Sequence, residues 1–271
     1  DPLRATTFGV GEMILHAIDK GIRSFIIGIG GSATNDGGIG MLKALGFRFL
    51  DEKGADAGEG AQALAKVASI QLSDKRELLS ECSFRIACDV TNPLSGPMGA
   101  TYVYGPQKGV TGELAPVIDA GMKNFARITA AAFGQDHADT PGAGAAGGLG
   151  FAFLSYLNGE LAPGIQLILD AVGLEDDLKD ADVVVTGEGR LDHQTAMGKA
   201  PVGVAKLAKK YHAKTIAFAG SVTKEATACN EAGIDAFFPI VRGITTLEEA
   251  MDPATAKSNM AAAAEQVFRL L

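Results

Sequence analysis

The stretch Asp-Val-Val-Val-Thr-Gly-Glu-Gly-Arg-Leu-Asp-His-Gln-Thr-Ala-Met-Gly-Lys at residues 182–199 decides how the chain is read. Asp182 to Thr186 is apolar and β-branched, the composition of a buried strand. Gly187 and Gly189 permit positive φ and close backbone approach, and the helical pattern resumes only at Ala200. The pattern predicts a strand over 182–186, a functional loop over 187–199, then a helix. In open parallel sheets, ligands sit beyond the carboxyl ends of the strands, where the following helix offers unpaired N–H groups to an anion. Glu188, Arg190, Asp192 and Lys199 therefore make a set that suits a metal ion, a phosphate and a proton acceptor. Taken alone, the loop is explained equally well by ordinary surface turn chemistry.

Working outward, the C-terminal part has a regular rhythm: helix 163–172, strand 182–186, helix 200–210, strand 215–219, helix 224–232, strand 235–239 and a last helix 253–270. Strands and helices alternating at this spacing predict a parallel sheet with crossover helices. The N-terminal part predicts a helix over 5–20, a strand over 24–29, a helix from Ile39, short strands near 47–50 and 84–90, and a helix over 113–133. The glycine run 142–150 introduces an apolar helix over 151–157; its glycines either approach a ligand or, as favoured, let that helix pack tightly. The fold class is α/β with two α/β domains. Residues 1–160 form a glycine-rich domain and residues 161–271 a Rossmann-like one.

Two further segments carry candidate site residues. Gly30-Gly31-Ser32-Ala33-Thr34-Asn35-Asp36-Gly37-Gly38 follows a strand and precedes a helix, so its bared N–H groups and hydroxyls suit a phosphate. Gly28-x-Gly30-x-x-Ala33 also fits the loose dinucleotide fingerprint, with Asp51 near the position of a ribose-binding acid. Asp89 ends another strand ahead of a Pro- and Gly-rich loop; an aspartate accepting turn amides explains it as well. A Walker loop is excluded, because Gly198-Lys199 is followed by Ala200 and His193 stands where the first glycine belongs.

Composition narrows the classes. Hydrophobic residues make up 47% and charged residues 21%, an ordinary globular balance with no apolar run of membrane-spanning length. The net charge is −8 and no basic stretch interleaves with aromatics, so neither nucleic acid nor a membrane is an expected partner. Cys82, Cys88 and Cys229 form no zinc or Cys-x-x-Cys pattern, which points to a reducing compartment, the cytoplasm, with the thiols packed as small apolar groups.

Four segments in order, Gly-Gly-Ser-Ala-Thr-Asn-Asp-Gly-Gly at 30–38, Cys-Asp-Val-Thr-Asn-Pro-Leu at 88–94, Gly-Pro-Gln-Lys-Gly at 105–109 and Thr-Gly-Glu-Gly-Arg-Leu-Asp-x-Gln-Thr at 186–195, resemble the type 1 glycerate kinases. The resemblance runs from end to end. It implies ATP-dependent phosphorylation of D-glycerate with Mg2+, giving 2-phosphoglycerate, on a two-domain α/β fold. It also implies a preceding segment with Pro-Asp-Ser-Phe-Lys and Gly-Gly-Glu-Gly motifs. Neither stands before Asp1 here, so the expectation is that this segment would complete the domain at 161–271 and that the chain by itself is a poor kinase.

On residue type and place, Asp192 is the expected proton acceptor, with Asp89 or Asp36 next in line, Glu188 a magnesium or water ligand, and Arg190 and Lys199 phosphate or carboxylate clamps, with Lys108 as the further cation should Arg190 lie outside the site. Gly30, Gly31, Ser32, Asn35, Asp36 and Asp89 are the expected ligand-binding residues. The expected small-molecule partners are D-glycerate and ATP, with a homo-oligomer left open. A dinucleotide-dependent oxidoreductase built on the 28–33 turn, or a sugar-acid sensor without catalysis, are the rival readings. The residues alone do not say which loop takes ATP and which takes glycerate.

Overall fold

The computed structural model describes residues 1–271. The chain divides into two compact units, Asp1–Leu167 and Ile168–Leu271. The division lies inside a helix, Gly164–Val172, seven residues beyond the boundary the sequence suggested at 160.

The first unit contains α1 (Phe8–Asp19), β1 (Ser24–Gly28), α2 (Ile39–Ala44), β2 (Arg48–Leu50), α3 (Ala61–Leu64), β3 (Ser69–Gln71), α4 (Arg76–Ser80), β4 (Ser83–Ala87), α5 (Ala100–Tyr104), α6 (Leu114–Phe133), α7 (Ala145–Leu157) and β5 (Glu160–Ala162), and α8 (Gly164–Val172) begins in it. Its main sheet is parallel, in the order β1-β4-β5, with Gly28 opposite Ala87. β2 and β3 form a separate antiparallel pair. The stretch between β2 and α4 holds both a helix and a strand, α3 and then β3.

The core of this unit is aromatic. Phe49, Phe125, Phe151 and Phe153 are fully buried, each worth roughly 2–3 kcal/mol of transfer free energy. Phe125 packs edge-on against Phe49 and Phe151, and the Tyr156 hydroxyl is matched to Thr129 at 2.7 Å. α7 starts earlier than the sequence suggested and is broken at its head, with Ala146, Gly147 and Gly148 all at positive φ. This kink lets Gly147 lie on the backbone of Thr34 and Asn35, and its carbonyl accepts from Gly37 N at 2.9 Å. The glycine run therefore clasps the 30–38 loop. Packing of motif against motif explains it.

The second unit contains α9 (Leu174–Leu178), β6 (Val183–Leu191), α10 (His193–Ala196), α11 (Ala200–Lys209), β7 (Lys214–Val222), α12 (Ala228–Glu231), β8 (Ala236–Pro239), α13 (Leu247–Met251) and α14 (Pro253–Phe268). Its sheet is parallel, in the order β6-β7-β8. Leu191, Val202, Ala205, Ala217 and Cys229 pack on one side of it, and Ile216, Phe218 and Val267 form a second cluster.

One local expectation fails here. Residues 187–191 are strand, not loop: Gly187, Glu188, Arg190 and Leu191 stand opposite Phe218, Ala219, Ser221 and Val222. A side chain at Gly187 would meet the Phe218 carbonyl, so this glycine serves a close strand pairing. No helix of the chain is long and apolar enough to cross a membrane. Cys229 is buried, while Cys82 and Cys88 pack half-buried against the core, all as free thiols.

Candidate functional site

Two groups of candidate residues form, one in each unit. In the first unit, β1 and β4 run side by side in parallel and end together, which leaves a cleft of about 360 Å³ beyond Gly28 and Ala87. Gly30, Gly31 and Ser32 come from the loop after β1. Cys88, Asp89 and Val90 come from the loop after β4, Tyr104, Gln107 and Lys108 from the end of α5 and the turn behind it, and Ala145 and Ala146 from the kink of α7. Gly31 has a φ of 70°, which lets the loop turn back over the cleft. Residues from three of the four quoted motifs thus converge on one wall-to-wall opening.

Lys108 and Asp89 carry the charge of this cleft. The Lys108 ammonium donates to Ser32 Oγ at 2.9 Å and to the Thr34 carbonyl at 2.7 Å. Burial pulls its pKa down to about 8, a drop that the nearby Asp36 charge partly offsets. Asp89 is exposed, and its Oδ1 accepts from Gly164 N, the first residue of α8, at 2.9 Å. The Tyr104 hydroxyl donates to Asn92 Oδ1 at 2.6 Å, and Asn92 Nδ2 in turn donates to the Met98 carbonyl, so the loop after β4 is braced. Burial raises the Cys88 thiol and the Tyr104 phenol above their ordinary ranges.

Asn35 and Asp36, expected to bind ligand, do not line the cleft. Both are 0% exposed. Asp36 accepts from Thr7 N, Thr7 Oγ1, Gly38 N and Gly40 N, which ties the start of α1 to the start of α2. Asn35 Nδ2 donates to Thr101 Oγ1. The carboxylate the sequence offered to a ligand instead fills the N-terminal amides of α2. The dinucleotide fingerprint lacks its structural context as well. No helix opens at residues 28–33, since α2 begins only at Ile39, and Asp51 closes its own turn onto Lys53 N and Ala55 N.

In the second unit the strand β6 delivers Glu188 and Asp192 to one small network. Asp192 caps α10: its Oδ1 accepts from Gln194 N at 2.9 Å and Thr195 N at 3.2 Å, and Thr195 Oγ1 accepts from Asp192 N. The same Thr195 hydroxyl donates to Glu188. Burial, reinforced by the charges of Glu188 and Asp192, pushes the Cys229 thiol up and keeps it inert. Arg190 and Lys199 are exposed, on β6 and at the head of α11. Glu188 and Asp192 are thus brought together, and Asp192 is held first of all as a helix cap.

The sequence offered Lys108 only as a fallback cation behind Arg190, and it did not single out Tyr104 or Gln107, which also line the cleft. The available signal was a lone lysine between glycines in a turn at 105–109, which reads as loop closure until β1 and β4 are placed side by side. No group of three or more His, Cys, Asp or Glu side chains gathers anywhere to cage a cation. The donor set therefore suits only a Mg2+ that arrives on nucleotide phosphates and keeps most of its other ligands as water.

Comparison with known proteins gives matches along the whole chain. A family model described as the glycerate kinase family matches residues 1–271. The chain is 50% identical over 254 residues to the glycerate kinase of Bacillus subtilis (strain 168), covering 94% of this chain and 66% of that protein. It is 45% identical over 250 residues to the glycerate 2-kinase of Escherichia coli (strain K12), covering 92% and 66%. The chain thus spans just under two thirds of the length of these relatives. A crystal structure from Salmonella typhimurium LT2, provisionally named glycerate kinase 2, superimposes with a TM-score of 0.85 at 44% identity, covering 100% of this chain and 72% of that one.

Proposed function

Because the chain belongs to the glycerate kinase family, we propose that it serves the transfer of the γ-phosphoryl group of ATP to D-glycerate, with 2-phosphoglycerate as product. The observation that carries this reading is the convergence of the 30–38, 88–94 and 105–109 motifs on one cleft with a lysine and a carboxylate in its walls. Phosphoryl transfer needs the acceptor held, the phosphate charge neutralised and a hydroxyl proton accepted.

Mg2+ bound to the nucleotide would neutralise phosphate charge, with Glu188 as the carboxylate of this chain that reaches it. Thr195 fixes Glu188 by donating to it. Arg190 and Lys199 are the exposed cations that meet the phosphates, local positive charge that a chain of net charge −8 has to supply against its own field. Asp192 holds this arrangement through its cap on α10. Such chemistry belongs in the cytoplasm, where ATP is abundant.

The test is a coupled assay of ADP release with D-glycerate, lactate or no acid, in a protein that carries all 271 residues. Release that depends on glycerate, with phosphorus NMR assigning the phosphate to the 2-hydroxyl, supports the reading. Reduction of a nicotinamide dinucleotide by glycerate, without ADP, would favour the oxidoreductase instead.

A further inference from the structure

The cleft of the first unit carries a charge pattern that selects between the two substrates, a deepening of the kinase reading on which it rests. Its lining holds one cation, Lys108, and one carboxylate, Asp89. An ammonium has three protons to donate. Ser32 Oγ and the Thr34 carbonyl take two of them, which leaves one for a ligand.

The amides at the head of α2, behind the loop, are already filled. Gly38 N and Gly40 N donate to the Asp36 carboxylate, Ile39 N to the Asp36 carbonyl and Met41 N to Thr7 Oγ1. A triphosphate would also bring several negative charges against Asp89 with a single lysine to answer them. A small hydroxy acid has the opposite balance: one carboxylate for Lys108 and neutral hydroxyls for Asp89. Ile29, Val90 and Ala145 supply apolar wall for its carbon chain. We propose that this cleft is the hydroxy-acid subsite, in which Lys108 binds the carboxylate of glycerate and Asp89 accepts the proton of the reacting hydroxyl.

In the step this implies, the hydroxyl oxygen forms a bond to the γ-phosphorus while the bond from that phosphorus to the β–γ bridging oxygen breaks. The hydroxyl proton passes to Asp89, and ADP leaves with the electron pair of the broken bond. Burial lowers the pKa of Lys108 to about 8, so the amine is charged at neutral pH and an incoming carboxylate would offset the cost of burying that charge.

Calorimetric titration of D-glycerate, and separately of Mg2+ with a non-hydrolysable ATP analogue, into the full chain tests this. Lys108→Gln should weaken glycerate binding about 30-fold or more, the scale of a lost charge-assisted contact, with the nucleotide analogue changed by less than about twofold. Lys108→Arg should recover part of the loss. Asp89→Asn should leave glycerate affinity within about threefold but cut turnover about 100-fold.

Since Lys108 also braces the 30–38 loop, a second measurement uses the unaltered chain: acetylation of Lys108 read by peptide mass spectrometry. Glycerate should protect this amine and the nucleotide analogue should not. Protection by the nucleotide instead, or by neither, overturns the proposal, as does a Lys108→Gln chain that keeps glycerate and loses nucleotide. Glycerate binding that depends on Lys108 without any glycerate-dependent ADP release would sink the kinase reading and keep the subsite. Turnover with glycerate that ignores Lys108 and Asp89 would do the reverse.

Discussion

Asp36 Oδ2 accepts hydrogen bonds from both the amide and the hydroxyl of Thr7, at 2.8 and 2.9 Å, across 29 residues of sequence. This pair fixes the head of α1 against the head of α2 and so sets the course of the loop that roofs the cleft. Burial pushes the Asp36 carboxyl up, and the hydrogen bonds from Thr7, Gly38 and Gly40 work against that rise. Asp36 is therefore an anchor of the loop.

Asp36→Ala leaves the amides of Thr7, Gly38 and Gly40 buried and unanswered, so it should lower unfolding free energy by about 3 kcal/mol or more. Urea titration measures this directly. A midpoint that does not move would show that the loop is held by the α7 kink alone.

Gly147→Ala is expected to be among the most damaging single-methyl changes in the chain. Its φ is 70°, and an added Cβ would stand 2.6 Å from Asn35 Cα, so the backbone penalty of about 1–2 kcal/mol is joined by a clash that neither neighbour can relieve cheaply. Gly9→Ala, in α1 with open space around it, should instead stabilise by roughly 0.5–1 kcal/mol. Thermal melts of the two variants should move in opposite directions.

Thr195→Val removes the hydroxyl that both holds Glu188 and accepts from Asp192 N. Turnover should drop about tenfold and the KM for Mg-ATP should rise, while the KM for glycerate stays within about twofold. A rise confined to the glycerate KM would reassign this network to the acid.

The pH dependence follows from Lys108. Its folded pKa is lowered to about 8, so it is charged below that pH and neutral above it. The KM for glycerate should be flat near pH 6–7 and climb roughly tenfold per unit above pH 8, and Lys108→Arg should abolish the climb. Cys88 and Tyr104 in the same walls are pushed up, and Asp36 faces the amine as a charge that favours its protonation. Between pH 8 and 10.5 the unfolded chain keeps the proton that the folded chain releases. Stability relative to Lys108→Met should therefore rise with pH across that window.

The alternation of strand and helix after residue 163 was legible because each parallel strand is a short apolar run and each crossover helix an amphipathic one. The end of β6 was not, since a glycine that opens a loop and a glycine that lets two strands close up look the same in sequence; only the pairing of Gly187 with Phe218 distinguishes them. Asp36 and Asp89 illustrate the same limit for the site. Both follow strands in glycine-rich loops, yet one turns inward to Thr7 and the other outward to the cleft, a choice made by contacts from distant parts of the chain. Lys108, only a fallback cation in the sequence, takes a place in a cleft wall because the loops after β1 and β4 meet there.

Steady-state ADP release in a protein carrying all 271 residues, with and without Asp89→Asn, bears on the whole scheme at once. Release should saturate with D-glycerate, match phosphoglycerate one for one and fall about 100-fold in Asp89→Asn, with nucleotide binding intact. Release that needs no glycerate, or an Asp89→Asn protein as fast as its parent, would contradict the placing of the acid and its proton acceptor in the cleft of the first unit.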